Sequence, residues 1–193
     1  MPLPPLSPGL VFVTVGTDHH RFDRLIDWVD AWAAHNPERP LLVQHGHSRP
    51  SSYGLNRPML TIDEMQVAFA RAALVVCGGG PGTVMDARAA GRLPVVVARR
   101  ADRREVIDDH QRAFCQRLAA LGKALVADDA ATLASWLDAA VTDPGRYRVR
   151  VADEETPPGL RAIPQLIDGL LGLDTSIRSG RSPGTLPTTH PER

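Results

Sequence analysis

At 193 residues the chain has the length of one ordinary domain plus a tail, and its apolar content of 43% is enough for a packed core. Its 22 basic and 22 acidic residues cancel, which argues against a nucleic-acid binder that works by bulk charge. Two cysteines, Cys77 and Cys115, suggest neither a disulfide framework nor a zinc cluster and point to a reducing cytosol. No apolar run reaches the length of a membrane span, and Met1 to Pro8 is proline-rich without the apolar core of a signal peptide. The expected place is therefore the cytoplasm, with peripheral attachment to a membrane only through a partner.

After an N-terminal extension over residues 1–9, Leu10 to Val15 reads as a first buried strand, followed by Gly16-Thr17 and an Asp18-His19-His20 loop. A strand running into a glycine turn is used near phosphates, but it also opens many α/β domains. The two adjacent histidines point differently and read as exposed loop residues; no third ligand is evident, so no metal is expected there. Phe22 to His35 reads as a helix with a broad apolar face, stopped by Asn36-Pro37. Trp28 and Trp32 lie four apart at one edge of that face and read as core, with a partner-binding edge as the alternative. Leu41 to Gln44 is a short second strand. His45 to Gly54 is a loop rich in Ser, Pro and Gly, and Asp63-Glu64-Met65 opens a short helix that runs to Ala72.

The densest signal follows. Leu74 to Cys77 reads as a buried strand, Gly78-Gly79-Gly80-Pro81-Gly82 as a turn that residues with a Cβ would resist, and Thr83 to Ala90 as a helix capped by Gly91. Such a loop aims unpaired N–H groups above the strand end, and the helix dipole adds partial positive charge, so the place suits a phosphate or diphosphate. The glycines fit neither G-x-G-x-x-G nor a P-loop, since Thr83 replaces the third glycine and no Lys follows. Thr83 and Asp86 are three apart, on one helix face, where a hydroxyl and a carboxylate serve phosphate and ribose hydroxyls together. The plain alternative for Asp86 is favourable charge at a helix N-terminus.

Leu93 to Ala98 is another buried strand, and Arg99 to Glu105 a charged loop whose four arginines read as solvated surface, with ligand contact as the alternative because the loop follows the carboxyl end of a parallel strand, where open α/β sheets bind ligands. Asp108-Asp109-His110-Gln111 opens a helix to about Leu121, and its polar groups either bind sugar hydroxyls or cap the helix. Ala124 to Ala127 is a last strand, and Asp128 or Asp129 caps a helix from about Ala131 to Val141. Pro164 to Leu171 reads as a short apolar helix, and the tail from Asp174, dominated by Ser, Gly, Thr and Pro, as disordered. Strands alternating with helices give an α/β, Rossmann-like parallel sheet with helices on both faces over residues 10–145, a helical extension over 146–173 and a tail over 174–193.

Four segments in order carry a family resemblance: Val11 to Thr17, Ile62 to Met65, Gly80 to Asp86, and Asp109-His110-Gln111. They resemble the C-terminal, donor-binding domain of family 28 GT-B glycosyltransferases, in particular the small catalytic subunits of two-component UDP-sugar transferases, dolichol-linked and bacterial exopolysaccharide types alike. The resemblance implies a single GT-B half-domain that takes a UDP-sugar as substrate, with no cofactor and no metal. It places Gly16, Thr17, Gly79, Gly80, Gly82 and Thr83 near the diphosphate, the Ile62 backbone at the uracil edge, Asp86 on ribose hydroxyls, and His110 and Gln111 on the donor sugar. Relatives of the subunit type often carry His where this chain has Gly78, and usually Glu where it has Asp86.

The resemblance further implies a hexosyl or N-acetylhexosaminyl transfer, with inversion, to a lipid-linked acceptor held by a membrane-attached subunit. No catalytic residue is assigned, because in relatives the base usually lies in the other half. The competing readings are a non-catalytic nucleotide-sugar-binding regulatory module and an NAD-dependent oxidoreductase. The oxidoreductase is disfavoured because no acidic residue ends a second strand after a complete glycine fingerprint.

Overall fold

The computed structural model describes residues 3–108 and 110–150. The helix expected at Pro164 to Leu171 and the tail beyond it lie outside the described residues, as does Asp109.

The described chain alternates strand and helix: β1 (Val11–Thr14), α1 (Asp23–Ala33), β2 (Leu41–Gln44), β3 (Leu55–Arg57), α2 (Ile62–Arg71), β4 (Leu74–Gly78), α3 (Pro81–Ala89), β5 (Val95–Val97), α4 (His110–Ala120), β6 (Leu125–Val126) and α5 (Ala130–Thr142). The strands form one sheet in the order β3-β2-β1-β4-β5-β6, and every pairing is parallel. This is the order of doubly wound nucleotide-binding sheets. The direction of winding reverses between β1 and β4, and a crevice opens there at the carboxyl ends of the strands. In register, Val11 to Thr14 pair with Leu41 to Gln44 on one side and Leu74 to Cys77 on the other.

Side chains alternate between the two faces of each strand, and the core divides accordingly. Val11, Val13, Leu41, Val43, Leu74, Val76, Val95 and Val97 face α1 and α5, where Leu25, Ile26, Val29, Leu133 and Leu137 pack on them. Phe12, Leu42 and Val75 face the opposite way, toward Ala68 and Phe69 of α2 and Ala87 of α3. Cys77 and Val96 face Val84 of α3 and Cys115 of α4. Because both faces are covered, the strands read as continuous apolar runs rather than alternating ones. Trp32 is buried in the first cluster and its indole N–H donates to Asp138 of α5 at 2.8 Å, which bears out the core reading for that residue.

Two elements differ from expectation. Directly after the loop expected at His45 to Gly54 comes β3, an unexpected three-residue edge strand that pairs with β2 at Leu42 to Gln44. Its Leu-Asn-Arg sequence has no apolar pattern, so its existence depends on the ladder that β2 supplies. The second difference is small: α2 begins at Ile62, one residue before the Asp63-Glu64-Met65 opening expected. Thr61 caps it: its hydroxyl accepts from the Glu64 N–H while the Glu64 carboxylate accepts from the Thr61 N–H, a reciprocal capping box.

Candidate functional site

Two turns flank the crevice between β1 and β4. In the first, Thr14 Oγ1 accepts the Gly16 N–H at 3.1 Å and Gly16 takes a φ of +80°, a conformation that a side chain resists. In the second, the chain passes from β4 through Gly79 and Gly80 into α3. None of its glycines has a positive φ, so their role is space rather than backbone freedom, contrary to the turn expected. A Cβ on Gly79 would lie 2.3 Å from Cys115 Sγ, so this glycine lets α4 pack against the turn. Gly80 and Gly82 are different: a Cβ on either would meet nothing within 4 Å. Nothing in the fold requires glycine there, and the space is left open toward the crevice.

Pro81 is the first residue of α3, and Gly80 offers no side-chain cap. The first-turn N–H groups of Gly82 and Thr83 therefore have no partner within the helix. Both residues line a pocket of about 240 Å³, together with Val15, Gly16, Thr17, Asp18, Gly78, Gly80, Arg99 and Gln111. Five of the expected diphosphate residues, Gly16, Thr17, Gly80, Gly82 and Thr83, come together here.

Two charged side chains, Arg99 and Asp18, line this pocket. Arg99 is only 2% exposed and donates to three carbonyls, Val15 and His20 on the β1 side and Glu105 in its own loop, each at 2.8 Å. Its guanidinium also lies over the Phe22 ring, 4.7 Å from the centroid. Burial pulls its pKa down, while the Asp18 and Glu105 charges oppose that change. Glu105 is buried too, and Arg24 grips it through both carboxylate oxygens at 2.8 and 2.7 Å. The loop expected as solvated surface is thus anchored by a buried arginine and a buried ion pair. A guanidinium enters the interior there because backbone carbonyls accept its N–H groups.

Gln111 lines the same pocket, and its side-chain oxygen accepts the Arg99 N–H at 3.1 Å. Its amide N–H group is the part left for a ligand. His110, its neighbour, is not brought to the pocket: its ring is fully solvent-facing and pairs with Asp108 at 2.8 Å.

A second pocket of about 410 Å³ lies between α2 and α3, lined by Leu60, Ile62, Met65, Gln66, Phe69, Asp86, Ala89 and Ala90. Ile62 and Asp86, the expected nucleoside residues, meet there. Asp86 is the sixth residue of α3, beyond the first turn in which helix-dipole effects act. Among the described residues nothing engages its carboxylate, so the plain dipole explanation loses force. Thr83 and Asp86, expected to serve one site together, instead face two pockets along the same helix.

In the lining of the first pocket, Asp18 Oδ1 accepts the His20 backbone N–H at 2.7 Å and lies 2.7 Å from His20 Nδ1, with His19 Nδ1 3.8 Å away. Partial burial works against ionisation of Asp18, but these hydrogen bonds and the Arg99 charge outweigh it and hold its carboxyl below the usual range. Asp18, which directly precedes the two histidines in the chain, thus has its carboxylate beside both rings.

The model of the glycosyltransferase family 28 C-terminal domain matches residues 10–150. Among solved structures, MurG of Acinetobacter baumannii aligns with a TM-score of 0.59 at 18% identity, covering 84% of this chain and 50% of that one. The glycotransferase of kitacinnamycin aligns at 0.55 with 18% identity over 75% of this chain and 38% of its own. The ALG13 protein, solved by NMR, aligns at 0.51 with 14% identity over 82% of this chain and 95% of its own. At these identities the likeness is one of fold. The chain spans half or less of the length of the first two and nearly all of the third. No curated protein matches the chain significantly by sequence.

Proposed function

The chain belongs to the glycosyltransferase family 28 C-terminal domains, and from that premise we propose that it is the UDP-sugar-binding part of a two-component glycosyltransferase. In this reading the diphosphate lies in the pocket between the two glycine turns, on the N–H groups of Gly82 and Thr83 and above the Arg99 charge. The nucleoside extends between α2 and α3, with uracil at the Ile62 backbone and ribose hydroxyls on Asp86. The observation that carries the reading is the pairing of these two pockets along α3, together with Gly80 and Gly82 opening on unfilled space.

The chemistry follows from the same residues. As the glycosidic bond to the diphosphate breaks, negative charge grows on the departing phosphate oxygen. Prearranged N–H donors, the α3 dipole and the Arg99 guanidinium stabilise that charge without reorganising. Gln111 Nε2 is placed to hold the sugar. The transferred group is a hexosyl or N-acetylhexosaminyl residue, passing to a lipid-linked acceptor held by a membrane-attached partner in exopolysaccharide or glycolipid synthesis. No helix among the described residues is long and apolar enough to cross a membrane.

The reading is tested by thermal unfolding with added nucleotides. A ligand that binds only the folded state raises the melting temperature by mass action. UDP is expected to raise it, and GDP and NAD much less. Equal shifts from all three, or no shift with UDP at millimolar concentration, would count against a UDP-sugar site.

A further inference from the structure

The amino ends of the strands carry a charge arrangement that donor binding does not use. The segments after α3 and after α5 meet there as a short antiparallel pair. The Leu93 N–H donates to the Tyr147 carbonyl at 2.7 Å, and the Val149 N–H to the Gly91 carbonyl at 3.1 Å. Arg92 and Arg148 stand directly opposite each other between those two bonds. Opposed side chains are closest in a pair of this kind, and like charges there are destabilising. Burial pulls the Arg92 pKa down, and the Arg148 charge pulls it the same way.

Arg92 is only 6% exposed. Two of its nitrogens cap the end of α2: Nε donates to the Phe69 carbonyl at 3.3 Å and Nη2 to the Ala70 carbonyl. Its Nη1 has no partner among the described residues. A pocket of about 360 Å³ opens on these side chains. Arg71, Arg92, Arg148 and Ser7 line it, with Gly9 just before β1 and Ala73 just before β4, and no carboxylate lies among its described lining residues. Capping of α2 accounts for two nitrogens of Arg92. It accounts neither for Nη1 nor for the two further guanidiniums.

We propose that this pocket binds a phosphomonoester group, carried by a soluble ligand or by a lipid headgroup, at the edge of the sheet opposite the donor crevice. Guanidinium groups are rigid forks of N–H donors that match the oxygens of a phosphate. Three of them suit a dianion, and the dianion relieves the repulsion between Arg92 and Arg148. The Ser7 hydroxyl on the wall is a further donor. The inference does not depend on which nucleotide the donor crevice takes.

Inorganic phosphate is the probe, titrated by calorimetry into the tag-free full chain at low ionic strength, with UDP present to keep phosphate out of the donor crevice. One saturable equivalent is expected. Arg71→Gln and Arg148→Gln should each weaken it at least about tenfold, whereas Arg117→Gln, on α4 outside the pocket, should not. Arg92→Gln would also uncap α2, so the two exposed arginines carry the test. Melting gives a second readout. Without phosphate, Arg148→Gln should melt above the parent, because a like-charged pair is gone. Phosphate should then raise the melting temperature of the parent much more than that of the variant. Phosphatidylcholine vesicles with and without phosphatidic acid separate the two sources. Sedimentation that needs phosphatidic acid and is lost in both arginine variants means a lipid headgroup; phosphate binding without such sedimentation means a soluble ligand. Neither phosphate binding nor sedimentation, or binding unchanged in both variants, would overturn the site. A lower melting temperature of Arg148→Gln without phosphate would overturn its like-charge premise.

Discussion

Asp86 and Gly82 lie four residues apart on α3 and face different pockets, so they test the two halves of the nucleotide separately. Asp86 is exposed and has no partner among the described residues, and replacing it leaves no buried group unsatisfied. Asp86→Ala is therefore expected to leave the melting temperature unchanged while weakening UDP. Loss of a charge-assisted hydrogen bond to a ribose hydroxyl costs about 1.5–3 kcal/mol, a rise of roughly ten- to a hundredfold in Kd by calorimetry. Unchanged affinity would remove Asp86 from the site. Gly82→Ala should move two quantities in opposite directions. Its backbone is compatible with any residue and a Cβ meets nothing, so alanine should stabilise the helix by about 0.5–1 kcal/mol. The same methyl group intrudes where the diphosphate lies, so UDP should bind more weakly. A higher melting temperature with unaltered UDP binding would show that the open space is not a phosphate site. At this scale the sequence was legible where spacing was local: Gly16, Thr17, Gly80, Gly82 and Thr83 meet at one pocket, whereas Gly79, expected with them, packs against Cys115 instead. It was not legible for His110 and Gln111. Neighbours on a helix point about 100° apart, so only one of the pair reaches the pocket, and the sequence does not say which. The arginine loop could be placed at the ligand-binding edge of the sheet, but not which arginine turns inward, because only the tertiary structure supplies the three carbonyls that bury Arg99.

Elements were readable in proportion to how much of their stability is encoded in their own residues. β1, β2, β4 and β5 are apolar runs bounded by turn residues, and α1 and α5 carry apolar faces, so all six appear in the sequence within a few residues of their bounds. β3 does not, because a half-buried edge strand of three residues owes its existence to its neighbour. The segment that leads into β3 is instead fixed from α1. Asp30 accepts from the Ser51 hydroxyl, from the Ser52 N–H at 3.1 Å and from Arg49 at 2.8 Å. Partial burial alone would raise its pKa, but these donors outweigh it and hold the carboxyl below the usual value. A depressed folded pKa means that the stabilisation is complete above the ordinary carboxylate pKa and is lost as pH falls through the folded value. Thermal unfolding is thus expected to show a loss of stability below about pH 4, part of which disappears in Asp30→Asn. If the acid limb is the same in both proteins, the β2–β3 connection is held by something other than this carboxylate.

For the molecule as a whole, strand order was the part least open to a reading of the sequence. Alternation of strands and helices implies a parallel sheet, but only the paired register places β4 beside β1 and so brings two turns, more than sixty residues apart in the chain, onto one crevice. That crevice lies at the open carboxyl edge of a single sheet, and in the proposed reading its residues hold a diphosphate, a diol and a sugar, while no described residue is assigned as the group that deprotonates an attacking hydroxyl. In the proposed two-component arrangement, that group and the acceptor come from the other half. Residues 1–193 alone are accordingly expected to bind UDP in calorimetry and to transfer little or no sugar to a lipid-linked acceptor. Transfer should appear when the acceptor-binding half is supplied, and kcat should rise far more than UDP affinity, because the partner contributes groups that act on the reacting bond rather than on the nucleotide. Robust transfer by the isolated chain would overturn the split arrangement and would place the base within residues 1–193. If the partner tightened UDP while transfer stayed absent, the chain would be a nucleotide-sugar-binding module and not a catalytic subunit.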